Sequence, residues 1–330
     1  MATYLYQTFS RWPLLPRIFF MAVFSIILFG FVIHLVEPKT FPSTFDGIWW
    51  AIITASTVGY GDYTPHTTAG RLVGILLILV GASFLSSYFA TLATTAINTQ
   101  NTLKQGKSLY IGKKQTLIIG WNERSRDVIN QLIQLKNEAQ IVLIDDSLTE
   151  NPFPGMHVHF IKGKPFYDHV LTKANAKSAE LLLVTADQNT PEYQADMNTI
   201  LTLIAVKGIN PEVHSIVEIL TAEHVLNAER AGADEIIQTN KQTSYVMMNS
   251  ILAHGMASSL LIMLNQLKGS SLKFISVDRD WMDRPFNEIS RILSEQRVML
   301  LGYKRGENSI VNPPPDDKIH LNDQLLVISD

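Results

Sequence analysis

The sequence predicts two parts of different fold class: an all-α membrane domain, then an α/β domain with a parallel sheet and a small α+β lobe at its end. Charge is distributed unevenly along the 330 residues. Between residues 18 and 98 the charged residues are only Glu37, Lys39, Asp46, Asp62 and Arg71. Two long apolar runs occupy that segment, whereas short apolar strands alternate with helical stretches after it. Such alternation predicts a doubly wound parallel sheet.

The first apolar run, IFFMAVFSIILFGFVIHLV, occupies residues 18–36. A helix of this length extends about 29 Å, which is enough to cross the bilayer core. We interpret it as a retained membrane span, because the apolar core of a signal peptide is shorter. Arg11 and Arg17 precede it, so the positive-inside rule predicts a cytoplasmic N-terminus.

The second apolar run, residues 72–97, also predicts a span and returns the chain to the starting side of the membrane. Between the runs, STFDGIWWAIITAS predicts a short helix with Ser43 or Thr44 as its N-cap. This helix is too short to cross. We expect Trp49 and Trp50 at the membrane interface or packed around the irregular segment that follows. Irregular backbone at membrane depth needs protein or water around it.

The irregular segment contains TVGYGD, residues 57–62. Glycine at the alternate positions Gly59 and Gly61 permits backbone angles that are closed to other residues, so successive carbonyls can point to one side. In four chains around an axis these oxygens would form rings that replace the hydration shell of K⁺. The hydroxyl of the first residue would add one more ring. The expected K⁺ ligands are Thr57, Val58, Gly59 and Tyr60.

With this segment placed between two spans, residues 15–98 resemble the two-transmembrane-helix potassium channels, whose selectivity filter is TVGYGD. The resemblance implies a homotetrameric pore with Asp62 at the end of the filter. Ile53 stands where some members carry a glutamate that pairs with this aspartate, so Asp62 is expected to lack that partner. The resemblance places a gating hinge at Gly81, and close helix packing is the alternative. We expect no voltage sensor, because no further span with repeated arginines is present.

The first turn of the predicted α/β domain is GWNERS, residues 120–125. It occupies the place of the phosphate-binding G-x-G-x-x-G turn but keeps only Gly120. Asn122 can adopt left-handed angles, Ser125 is small, and a helix N-terminus that could hold a phosphate follows. Asp145 ends the next strand, where an acid binds ribose hydroxyls, and Arg124 is a further phosphate partner. The alternative is a structural turn without a ligand.

Residues 114–330 resemble the regulator-of-potassium-conductance (RCK) domain with its TrkA-N and TrkA-C lobes, chiefly through ERAGADEIIQTN. In that family the domains form a ring beneath the pore, and ligand binding to the ring moves the inner helices. The expected divisions are a pore domain at 1–98, a linker at 99–113, a Rossmann-like lobe at 114–240, dimerisation helices at 241–268 and a C-terminal lobe at 269–330.

The resemblance implies a regulatory ligand inside the cell, either an adenine nucleotide (ADP, ATP or NAD) or cyclic di-AMP. Calcium is less favoured, because some members bind it with two glutamates, and here Leu220 follows Glu218 at the second position. His157 and His159 share a strand face, but two histidines do not complete a metal site. The ring is expected to be octameric if further soluble subunits join it, although no ATG start is available in the linker.

The sequence therefore predicts a ligand-gated potassium channel, and not an enzyme, in contact with lipid in the cell membrane and with its RCK domain in the cytoplasm. The net charge of −3 gives no indication of nucleic-acid binding. The absence of cysteine excludes disulfides and thiolate metal sites. Two alternatives remain: a membrane-anchored nucleotide-dependent oxidoreductase, which needs catalytic residues that the C-terminal lobe does not offer, and a subunit of a potassium transporter, which would carry more spans.

Overall fold

The computed structural model describes residues 14–136, 139–267, 269, 271–306 and 308–329. The chain divides into two compact units, one that ends at Leu103 and one that begins at Lys104. This division falls inside the predicted linker at 99–113. Arg11, used above to predict the orientation of the chain, lies outside the described residues.

From residue 14 onward, the first unit contains three helices: α1 (Leu14–Val36), α2 (Thr44–Ala55) and α3 (Thr68–Lys104). Among the described residues α1 and α3 are long and apolar enough to cross a membrane, with mean hydropathies of 2.6 and 2.2. Helix α2 is the short helix between the spans, and Ser43 caps it reciprocally with Asp46. Gly47 lets α2 approach α1 closely, since a Cβ there would lie 2.1 Å from the Gly30 carbonyl oxygen.

The second unit begins with a six-stranded parallel sheet in the order β3-β2-β1-β4-β5-β6. Its strands are β1 (Thr116–Ile119), β2 (Ile141–Asp145), β3 (Val158–Lys162), β4 (Leu181–Val184), β5 (His214–Glu218) and β6 (Glu235–Ile237). The intervening helices are α4 (Glu123–Leu135), α5 (Asp168–Lys173), α6 (Glu192–Ile209) and α7 (Val225–Arg230). This is the predicted doubly wound α/β architecture.

Both faces of this sheet are covered, so its strands are apolar on both sides. In β1, Leu117 and Ile119 belong to one buried cluster, whereas Ile118 belongs to the cluster on the opposite face. The alternation follows from the two-residue repeat of a strand. Because β1 pairs in parallel with both β2 and β4, the carboxyl ends of the three strands lie side by side at one edge of the sheet.

The segment that connects α3 to β1 is held along the outer strand of this sheet. The Gly106 carbonyl accepts a hydrogen bond of 2.9 Å from Lys162 N at the end of β3, and the Lys104 carbonyl accepts one of 2.7 Å from Asn151 N. Gly106 has φ +66°, and a Cβ there would lie 2.5 Å from Lys162 N. From Lys104 onward, the predicted linker is therefore an integral part of the second unit.

The predicted dimerisation segment consists of two helices, α8 (Thr239–Leu252) and α9 (Met256–Leu264), with Gly255 at φ +90° between them. No described residue of either helix is buried. The C-terminal lobe follows as an antiparallel sheet in the order β7-β10-β8-β9, with α10 (Phe286–Glu295) packed on it. Its strands are β7 (Ser271–Ser276), β8 (Met299–Arg305), β9 (Asn308–Val311) and β10 (Gln324–Ser329).

Candidate functional site

The segment after α2 has an alternating backbone. Thr57, Gly59 and Gly61 have φ of +64°, +60° and +76°, while Val58 and Tyr60 are not in the left-handed region. The amides of Val58 and Gly59 donate to the Ile53 carbonyl at 3.0 and 3.3 Å, which ties the segment to the last turn of α2. Left-handed angles at alternate residues are what the glycine pattern predicted. Thr57 adopts them as well, at a steric cost that glycine avoids.

Asp62 is held by a tryptophan on α2. The Trp49 Nε1–H group donates to the Asp62 carboxylate at 2.8 Å, and the rings of Trp49 and Tyr60 stack with centroids 6.3 Å apart. Ile53 supplies no carboxylate, as the sequence showed, but Asp62 is not without a partner on α2. This role of Trp49 could not be predicted from the sequence, because no sequence pattern indicates which group accepts a hydrogen bond from an indole N–H.

Glu37 fixes the other side of the irregular segment, and the sequence analysis did not identify its role. Its side chain is only 4% exposed and accepts hydrogen bonds from the amides of His66 and Thr67 and from the Thr67 hydroxyl. Gly70 leaves room for this carboxylate, since a Cβ there would lie 2.4 Å from Glu37 Oε1. A carboxylate at the N-terminus of α3 also interacts favourably with the helix dipole.

Gly81, the predicted hinge, lies in an unbroken part of α3 and is buried against the end of α2. A Cβ at this position would lie 2.9 Å from the Ala55 Cβ. The observed contact corresponds to the packing alternative, in which glycine lets two helices approach. A hinge at Gly81 stays a prediction.

A cleft of about 410 Å³ opens at the carboxyl edge of the parallel sheet. It lies where β1 separates β2 from β4, which is the switch point at which doubly wound sheets bind ligands. Of the predicted nucleotide-binding residues, Gly120, Asn122 and Asp145 line the cleft, whereas Arg124 and Ser125 do not.

The turn between β1 and α4 requires its glycine but differs from the prediction at Asn122. Gly120 has φ +94°, and a Cβ there would lie 2.7 Å from Thr185 Oγ1. Asn122 is extended, with φ −156°, and not left-handed as expected. Its side chain accepts from Ser125 N at 3.0 Å, and the Ser125 hydroxyl accepts from Asn122 N at 2.9 Å. Asn122 and Ser125 therefore form a reciprocal cap for α4.

Asp145, predicted to bind ribose hydroxyls, is engaged by the protein itself. The side chain is 9% exposed. One carboxylate oxygen accepts from Trp121 N at 2.9 Å, and the other accepts from Ser147 N at 2.8 Å, Ser147 Oγ at 2.6 Å and Leu148 N at 3.0 Å. A carboxylate has about four lone-pair sites, so its acceptor capacity is filled. Asp145 joins the first turn to the loop after β2.

Arg124 and Glu218, predicted separately as a phosphate partner and a doubtful divalent-cation ligand, bind each other. The Arg124 Nη2 lies 3.0 Å from Glu218 Oε2, and the Glu218 side chain is almost fully buried. Glu218 also accepts from Ala186 N at 2.8 Å and from the Thr239 hydroxyl at 2.5 Å. Each charge therefore already has its opposite charge as a partner, and a role of either residue toward a ligand stays a prediction.

No group of three or more metal-binding side chains occurs in the part of the chain that the structure describes. The His159 Nε2 lies 3.3 Å from Ser108 Oγ, and its ring packs on Tyr110. Burial lowers the pKa of His159, although a hydrogen bond with the Ser108 backbone opposes the shift. This histidine therefore serves the contact between the connecting segment and β3.

Two families match the chain: residues 21–98 match the family described as "Ion channel", and residues 116–239 match the TrkA-N domain. The putative potassium channel protein YugO of Bacillus subtilis is 40% identical over 324 residues, covering 98% of both chains. The calcium-gated potassium channel TvoK of Thermoplasma volcanium is 26% identical over 320 residues, covering 94% of this chain and 90% of TvoK.

Two solved structures share the fold. The gating ring of human SLO3 has a TM-score of 0.52 at 17% identity and covers 66% of this chain and 44% of its own. The GsuK channel has a TM-score of 0.50 at 15% identity and covers 96% of this chain and 57% of its own. This chain thus spans about half the length of both, and identities this low show the fold alone.

Proposed function

This chain belongs to the potassium channels in which an ion-channel pore precedes a TrkA-N domain, and on that premise we propose how it conducts and is regulated. It is a membrane protein with two spanning helices, and its relatives are channels rather than enzymes. We assign the K⁺ sites to the carbonyl oxygens of Thr57, Val58, Gly59 and Tyr60 and to the Thr57 hydroxyl. The alternation of left-handed angles at 57, 59 and 61 is the observation that supports this assignment.

A homotetramer follows from what one chain can offer to an ion. One filter segment supplies a single row of carbonyls, whereas K⁺ needs rings of four to replace its water. In the single chain Val58 is 55% exposed and Tyr60 is 70% exposed, although both are large and apolar. We propose that neighbouring subunits cover them around the central axis.

Two exposed apolar faces support assembly of the soluble domains into a ring. One is formed by α8 and α9 and includes Met248, Ile251 and Leu261; the other lies along α6. The exposed members of the α6 face are Tyr193, Met197, Leu201 and Ile204. Two different faces allow domains to pair through one and join pairs through the other. A ring of eight requires four untethered copies besides the four that the pore carries.

The regulatory ligand is proposed to bind in the cleft at the carboxyl edge of the parallel sheet. Its volume of about 410 Å³ suits a small organic ligand. An adenine nucleotide is favoured over calcium, because Glu218 is neutralised by Arg124. A ligand that binds one state of the ring more tightly shifts the pore toward that state.

We also propose that the channel lies in the cell membrane, with its N-terminus and its RCK domain in the cytoplasm.

Flux from liposomes that contain the purified full-length protein tests this function. We expect potassium efflux to exceed sodium efflux, and internal adenine nucleotides to change the potassium rate. Liposomes with the Gly59→Ala variant provide the blocked reference. Equal sodium and potassium efflux would contradict the filter assignment, and a potassium rate that ignores every nucleotide would contradict the regulatory role of the cleft.

A further inference from the structure

The charges that line the cleft in the second unit are mostly negative. Its described lining residues include three aspartates, Asp145, Asp146 and Asp187, but a single lysine, Lys164. Arg124 does not line the cleft and is held by Glu218. Each phosphate group added to a ligand therefore meets further carboxylates without meeting a further cation. Like charges at short range oppose binding.

The backbone amides of the first turn that line the cleft supply little to offset this repulsion. Phosphate sites in doubly wound folds use free amides at the helix N-terminus. Here the amides of Trp121, Asn122 and Ser125 donate to the side chains of Asp145, Ser125 and Asn122 respectively. A pyrophosphate on this turn would have to displace bonds that the protein already makes.

Two charged side chains of the cleft are free to contact a ligand. Asp146 is exposed directly after β2, and no hydrogen bond engages its carboxylate among the described residues. Lys164 is exposed after the neighbouring strand β3, and its ammonium makes no ion pair with a described residue. The register pairs Asp145 at the end of β2 with Lys162 at the end of β3, so the segments after both strands begin at the same edge of the sheet. Phe166 adds an aromatic side chain to the lining.

We propose that the cleft binds a nucleoside monophosphate, with Lys164 contacting the single phosphate and Asp146 the ribose hydroxyls. The inference rests on the proposed regulatory role of the cleft and specifies its ligand class. One free cation matches one phosphate group, and a carboxylate without partners is the acceptor that a ribose diol requires. A volume of about 410 Å³ lies near the lower end of the range for ligand sites, which suits a mononucleotide better than a dinucleotide.

The test is calorimetric titration of the full-length protein in nanodiscs with adenosine, AMP, ADP, ATP and NAD, without divalent cations. We expect AMP to bind most tightly. Lys164→Gln should weaken AMP about 10-fold and leave adenosine unchanged, because a charge-assisted bond to phosphate is lost. Asp146→Asn should weaken adenosine and AMP by the same factor. Lys177→Gln and Glu150→Gln, which change exposed charges outside the cleft, serve as matched controls.

Tighter binding of ADP, ATP or NAD than of AMP would overturn the inference, and so would binding of none of the five compounds. An equal effect of Lys164→Gln on adenosine and AMP would overturn the assignment of the phosphate to Lys164. Potassium flux measured on the same samples separates the two proposals. AMP binding without a change in flux would refute the proposed gating alone, whereas a flux response in the order ATP, ADP, AMP would refute the ligand class alone.

Discussion

Two glycine-containing segments of this chain, residues 57–62 and 120–125, use their backbones in opposite ways. In the first, left-handed angles recur at 57, 59 and 61, and neither Gly59 nor Gly61 has a neighbouring atom within 4 Å of a Cβ position. In the second, the amides of Trp121, Asn122 and Ser125 are bound by side chains of the protein. The first segment leaves its carbonyl oxygens available to a ligand, whereas the second uses its amides in hydrogen bonds within the protein.

The comparison shows when a glycine pattern predicts a binding site. Among the described residues, the one side-chain hydrogen bond to TVGYGD comes from Trp49, and it reaches the Asp62 carboxylate rather than a backbone group. Around GWNERS, Asp145, Asn122 and Ser125 all reach the backbone. Short polar side chains that can bond to nearby amides compete with a ligand for them.

The largest expected effect is that of Gly59→Ala, which tests whether the backbone of the filter segment determines conduction. Alanine at φ +60° costs about 1–2 kcal/mol in each chain, hence about 4–8 kcal/mol in the proposed tetramer, so the carbonyl row should be disrupted. We expect loss of selective potassium flux in liposomes. Gly208→Ala is the matched control, because a Cβ at Gly208 enters open space. Selective potassium flux from the Gly59→Ala variant would show that conduction does not depend on the left-handed backbone of this segment.

Glu218→Gln should produce the largest change in the stability of the second unit. It leaves the Arg124 guanidinium without its counter-charge and weakens the acceptor for Ala186 and Thr239. Because the Arg124 side chain is about one-third exposed, we expect the free energy of unfolding to fall by about 2–3 kcal/mol, which is less than for a fully buried pair. Denaturant titration of the full chain measures it. The double variant Glu218→Gln with Arg124→Gln should recover part of the lost stability. If the stability losses of the two single variants simply added, coupling between the two side chains would be excluded.

Asp145→Asn tests whether the aspartate holds the turn or binds a ligand. The amide keeps one acceptor oxygen but places a donor group against backbone amides, so we expect a loss of about 1–2 kcal/mol. Thermal melting followed by circular dichroism detects it without any nucleotide. Asp146→Asn is the matched control, since its carboxylate is exposed and free, and its melting temperature should equal that of the original protein. An unchanged melting temperature for Asp145→Asn would restore it as a ligand-binding candidate.

Trp49→Phe removes the side-chain hydrogen bond to the filter segment and leaves the aromatic packing. The expected cost is about 1 kcal/mol per chain, because the bond is exposed and the ring stack with Tyr60 is kept. Potassium selectivity should persist, while conduction measured over time in planar bilayers should decay faster. Trp281→Phe, the same substitution at a tryptophan of the C-terminal lobe, is the control. If Trp49→Phe abolished selectivity as Gly59→Ala does, the filter would depend on side chains too.

The smallest effect concerns Asp234, whose pKa is lowered from 3.8 to about 2. Burial alone would raise this pKa, but hydrogen bonds from Lys207 and Ser215 lower it. Since the pKa is lower in the folded state, the stabilisation is present above the unfolded value and is lost as pH falls toward the folded one. Lys207→Met should cost below about 1 kcal/mol at neutral pH, because Asp234 is 41% exposed. In denaturant titrations, the difference in the free energy of unfolding between Lys207→Met and the original protein should shrink below about pH 4.

The spans, the short helix and the doubly wound sheet could be predicted from the sequence, because hydropathy and alternation report these directly. The partners of Glu37, Trp49 and Asp145 could not be predicted in this way. Those depend on contacts between residues distant in the chain, such as the bond between Trp121 and Asp145. The error at Asn122 has the same origin, since its bonds to Thr185 and Ala186 favour the extended cap over a left-handed turn.

The alternation of backbone handedness in the filter also bears on the speed of conduction. Val58 and Tyr60 separate the left-handed residues Thr57, Gly59 and Gly61, so successive twists are of opposite sense and cancel. Such alternation favours a nearly straight chain, and the proposed K⁺ ligands would then repeat along the axis of the proposed tetramer. In the proposed tetramer, an ion that leaves one ring of carbonyls would enter another of similar binding strength, so the potential along its path would vary only slightly.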